Sequence, residues 1–158
     1  MRKFLTVMIA VVCAGSASAD HIGLYRDPAG QYCALQSPPV GPPPFALYVI
    51  HRFNAGASGS QFRVLDTTGF FATTQSTIGP TLGTWNTDWS ISYGGCLIGD
   101  LQIATLNFLY FGTPLLCTNW MGIHPAPTSA IVGEIIYANC AQEFETATGG
   151  RIWFGPAS

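Results

Sequence analysis

Catalysis by side chains needs a nucleophile beside a base, or two acid-base groups within reach of one bond. The residues that could supply either are few and scattered along this chain. Gly56-Ala57-Ser58-Gly59-Ser60 misses the register of a Gly-x-Ser-x-Gly elbow, and no strand-to-helix pattern surrounds it. Carboxylates stand singly except at Glu143-Phe144-Glu145, which reads as a solvated stretch of strand. His21, His51 and His124 are isolated, and there is no Cys-x-x-Cys. Asn86-Thr87-Asp88 is only a fragment of a calcium loop. The expectation is therefore no catalytic residue, no metal and no cofactor. His51 faces inward by strand alternation and reads as a core histidine.

Cysteine and tryptophan carry more. Beyond Cys13 the chain has Cys33, Cys96, Cys117 and Cys140, an even set that suits two disulfides. Four cysteines allow about three pairings. The reading adopted joins Cys96 to Cys117, which flank one apolar segment, and Cys33 to Cys140. Trp85 and Trp89 bracket a turn, and Trp120 lies apart. Their indole faces would stack on sugar rings if exposed, or fill a core if not.

These residues follow an export leader. Arg2 and Lys3 precede an apolar run from Phe4 to Ala14, and Ala17-Ser18-Ala19 has the small-x-small form of a cleavage site. Residues 1–19 are read as a signal peptide and 20–158 as one secreted domain. Val12, before Cys13, is not the small residue that a lipid anchor needs. No later run is long enough for a membrane span. Residues 20–158 hold four arginines, no lysine and eight carboxylates, a net charge of −4. With no basic cluster in the sequence, nucleic acid is not an expected partner.

The elements that must position these groups read as strands. Leu47 to Phe53 alternates, with Leu47, Val49 and Phe53 on one face. Gln61 to Leu65 puts Phe62 and Val64 on the core side. Trp89, Ile91 and Tyr93 alternate with serines until Gly94-Gly95. Leu101 to Phe111 looks apolar on both faces, and Leu115–Ile123, Ile131–Tyr137 and Arg151–Phe154 follow. A proline-rich crossing occupies 37–44. No capped helical stripe appears, so the fold class is all-β, an antiparallel β-sandwich stapled by disulfides.

The segments Ala55 to Val64, Ser90 to Tyr93 and Gly99 to Phe108 together resemble the cohesin-like sandwich. Leu65-Asp66-Thr67 stands where that family commonly has Tyr-Asp-Pro, and the four cysteines are additional. No binding residue is carried over. The resemblance implies an Ig-like scaffold with a binding or surface role. The function expected is a non-enzymatic exported module acting by protein–protein contact, with self-association if the outer face of Leu101–Phe111 is bare. A carbohydrate-binding module using Trp85, Trp89 and Trp120 is the alternative, with a polysaccharide as partner. A secreted hydrolase comes third.

Overall fold

The computed structural model describes residues 20–31, 34–36, 38, 40–52, 55–66, 69–112 and 119–155. The leader, Cys33 and Cys117 lie outside them. The strands are β1 (His21–Tyr25), β2 (Ala34–Gln36), β3 (Phe45–Arg52), β4 (Ala57–Asp66), β5 (Phe70–Thr77) and β6 (Thr81–Thr84). Then come β7 (Asp88–Leu97), β8 (Leu101–Tyr110), β9 (Asn119–His124), β10 (Ile135–Asn139), β11 (Phe144–Gly149) and β12 (Arg151–Gly155). Among the described residues no helix is long and apolar enough to cross a membrane.

One layer runs β11-β1-β3-β8-β5 and the other runs β6-β7-β4-β10-β11. β4 is shared along its length. Ala57–Phe62 is flanked by β10 and β7, and Arg63–Asp66 pairs with β9, which leads on to β12 and β2. Most pairs are antiparallel, but β1 with β11 and β12 with β2 are parallel. Alternation drives this arrangement, because each strand turns one face inward. Phe62 and Val64 of β4, Trp89 and Ile91 of β7, and Leu106 and Phe108 of β8 are buried together. Phe45, Phe70, Phe108 and Phe154 pack as one aromatic cluster, with Phe70 and Phe154 ring centroids 4.9 Å apart.

Four sequence expectations change. The described disulfide joins Cys96 to Cys140, Cα atoms 5.2 Å apart, so neither expected pairing holds for these two. Both cysteines lie on strands or turns that flank β4, a proximity that adjacency in sequence could not reveal. β7 passes through Gly94-Gly95 instead of stopping there, with Gly94 at φ 76°. β10 begins at Ile135, because Ile131–Glu134 forms an exposed turn around Gly133. The outer face of β8 is polar at its centre. Asn107 donates to Thr74 Oγ1 and Gln102 to Thr105 Oγ1, while a register shift turns Ile103 into the core. The exposed apolar surface there is confined to one end, where Phe71 meets Phe111.

A polar network crosses the interior. His51, 0% exposed, shares a 2.8 Å hydrogen bond through Nδ1 with the Tyr93 hydroxyl. Its ring packs edge-on to Tyr137, whose hydroxyl donates to Asp20 and Glu145. Burial, helped by the His21 charge, lowers the His51 pKa to about 3. Burial also raises the Tyr93 phenol.

This packing can be tested at the disulfide and at His51. The disulfide closes a loop across a sequence separation of 44. Cys96→Ser with Cys140→Ser should cost about 4 kcal/mol by the chain-entropy relation, read from urea unfolding. His51 takes up a proton in the unfolded chain below its ordinary pKa of 6.5, but in the fold only near 3. Stability should therefore fall as pH drops through that window, by about 1.4 kcal/mol per pH unit from this group. His51→Gln should flatten the profile between those limits relative to the wild type.

Candidate functional site

A trough of about 470 Å³ lies on the outer face of β6, β7, β4 and β10. Its shape follows from side-chain size along the register. One row across the sheet runs Leu82, Ser90, Gln61, Ile136, Thr146, and the next runs Ser92, Gly59, Ala138, Phe144. Ser90, Ser92, Gly59 and Ala138 keep the middle low, while Leu82 and Phe144 stand at the rims. Leu82 is 77% and Phe144 61% exposed, whereas Ile136 is buried in the floor. A Cβ at Gly59 would come within 2.9 Å of the Ile91 carbonyl oxygen, so the floor there must be bare backbone.

Both ends are built from hydrogen bonds. At one, Gln61 Nε2 donates to Asp88 Oδ1 at 2.8 Å and to Thr128 Oγ1 at 3.0 Å, and Thr128 donates to Asp88. The bonds from Thr128 and Gln61 hold the Asp88 carboxyl below the usual range. At the other end the turn from β10 to β11 is closed by Asn139 Oδ1, which accepts from the backbone N–H of Ala141 and Glu143. Gln142 sits in this turn at φ 65°, in the left-handed region, and lines the trough. The disulfide ties β7 to this turn. Gly56, at φ 103°, makes room for it, since a Cβ there would lie 2.7 Å from Cys140 Sγ.

The three tryptophans singled out by sequence do not meet. Trp89 is 0% exposed and packs against Phe62. Trp85 is half-buried, edge-on to Phe108. Trp120 lies on β9 with Arg151 over its ring at 4.4 Å and His124 against it at 5.3 Å. Trp153, which sequence reading left aside, is the exposed indole, at 44%. Glu145 is no bare edge carboxylate, because Tyr137 and Asn139 both donate to it and hold its pKa down. Sequence reading missed the trough because it arises from four strands in register. Leu82 and Phe144 gave no signal beyond hydrophobicity within short polar stretches. Among the described residues no group of three histidine, cysteine or carboxylate side chains converges.

No family model and no curated protein matches the sequence. Solved cohesin structures do resemble the fold. The cohesin module of a family 33 glycoside hydrolase from Clostridium perfringens ATCC13124 superposes with a TM-score of 0.58 at 7% identity, covering 88% of this chain and 98% of that one. A chain of a CaDoc0917–CaCohA2 complex gives 0.56 at 9% identity, covering 85% and 99%. A non-cellulosomal cohesin from Archaeoglobus fulgidus gives 0.54 at 11%, covering 87% and 91%. The chain therefore has a cohesin-like all-β fold.

Gln142 occupies backbone space that glycine enters without a Cβ penalty. Gln142→Gly should raise stability by about 1 kcal/mol in urea unfolding, or leave it unchanged if the side chain's trough contacts offset the strain.

Proposed function

We propose that this protein is a non-enzymatic binding module, exported to an oxidising space, that grips a segment of a partner protein in the trough. The observation that carries the reading is the trough itself: a sheet floor low at Gly59, Ser90, Ser92 and Ala138 between two exposed apolar rims, Leu82 and Phe144. Concave sites with exposed apolar side chains at their margins are where proteins bind partners. Serines line the trough, but neither a histidine nor a carboxylate is among its lining residues to activate them. One of the structures that share this fold is that of a complex, CaDoc0917 with CaCohA2, which supports a protein partner for this chain. The disulfide and the leader-like residues 1–19 agree with an exported setting.

The test is retention of proteins from cell-envelope and medium fractions on the immobilised protein, run beside Leu82→Asp with Phe144→Asp and beside a polysaccharide panel. Removing the two apolar rim anchors should weaken capture by about 30-fold or more while leaving the unfolding midpoint in place. Equal capture by the variant, or retention of polysaccharide alone, would overturn the reading.

A further inference from the structure

The chain is acidic as a whole, with a net charge of −2, yet one of its surfaces is cationic. Sequence spacing scatters the basic residues, but the register gathers two arginines around a histidine on the outer face of β4, β9 and β12. Arg63 stands opposite His124, Gly122 opposite Arg151, and Trp120 opposite Trp153. The charges of Arg151 and Arg63 both act on the His124 ring, adding to burial in lowering its pKa. Among the described residues the ion pair found is Arg52 with Asp100, and no carboxylate pairs with Arg63 or Arg151. The Arg63 Nε and His124 Nε2 atoms are buried without a hydrogen-bond partner.

This face is also shaped for recognition. Gly122 lets the Arg151 stem lie flat across the sheet, since a Cβ there would come within 2.7 Å of Arg151 Cγ. The guanidinium carbon lies over the Trp120 ring, 4.4 Å from its centroid, and a guanidinium held over a ring keeps in-plane N–H groups for a planar acceptor. Trp153 stands exposed beside it.

We propose that this face docks an acidic segment of a partner protein, with carboxylates engaging Arg63 and Arg151 on either side of His124 and an apolar side chain resting on Trp153. Charge complementarity selects the occupant, because the Arg63 and Arg151 guanidiniums have no carboxylate partner among the described residues of an otherwise acidic domain. Arginine and tryptophan are also the residue types that dominate protein hot spots. A nucleic acid is disfavoured, since two arginines neutralise only about two phosphates. A sugar is disfavoured, since Arg151 and His124 already cover Trp120. The surface is separate from the trough and does not depend on the function proposed for it.

Fluorescence anisotropy with the purified protein tests this, using a labelled twelve-residue peptide rich in Asp and Glu with one central Phe. Saturable binding is expected that weakens with added salt. Arg63→Ala and Arg151→Ala should each cost about tenfold, the range of charge-assisted contacts. Gly122→Ala should weaken binding with every charge kept, because it lifts Arg151 off the sheet. Unfolding midpoints report whether each variant stays folded, and Arg151→Lys, which keeps the charge but loses the planar fork, gives a second measure. Leu82→Asp with Phe144→Asp should bind the peptide as the wild type does, and a loss there would overturn the assignment to this face. The proposal also fails if the peptide does not bind, if its Asn/Gln counterpart binds equally, if the arginine variants bind unchanged, or if heparin or polyuridylate binds in its place.

Discussion

The structure hangs on the way β4 divides its hydrogen bonds. Its first half is a central strand between β7 and β10, and its second half turns away from them to pair with β9. One ten-residue strand thus joins two sheet regions and carries the core residues Phe62 and Val64. Its outward residues, Gly59, Gln61 and Arg63, divide between two surfaces. Gly59 and Gln61 line the trough, and Arg63 begins the cationic face. A slip of one residue would exchange Phe62 with Gln61 and bury an amide where an aromatic ring belongs.

Much of the fold was legible because the pattern of period two is strong wherever one face is buried. The inward positions of β4 and β7 are those that alternation assigns, as are Leu47, Val49 and His51 of β3; Ile50 is buried as well, at a register shift in the ladder to β8, and Phe53 lies outside the described residues. β5 was not read as a strand, because Thr73, Thr74, Gln75 and Ser76 are all exposed on this edge strand and no apolar period marks them. The cysteine partner was illegible for a different reason. Cys96 and Cys140 meet because β4 separates their strands by one interstrand space on each side, which is a property of sheet order and not of spacing. The site followed the same rule: tryptophan was noticed for its chemistry, whereas the trough depends on the small size of Gly59, Ser90, Ser92 and Ala138.

Scarce charge makes position decisive. Arg52 serves the scaffold, bonded to the Gly30 carbonyl, paired with Asp100 and placed over Tyr25. Arg63 and Arg151 pair with no carboxylate among the described residues, and without acids of their own they leave a potential on one face that a neutral trough nearby does not cancel. The polar interior is handled differently. Tyr93 and Tyr137 give His51 and Glu145 their partners, so the groups that could titrate are fixed in one state by burial and by hydrogen bonds.

β5 is an edge strand among the described residues, and it carries no charge and no proline, which are the usual guards against another chain adding itself in register. Its safeguard is the irregularity at Thr73, where the ladder to β8 skips from Ala72 to Thr74. An inserted residue kinks the strand and breaks the even spacing of its outward N–H and C=O groups. In a chain with only 9% charged residues, the border of β5 is thus marked by one extra amino acid rather than by repulsion.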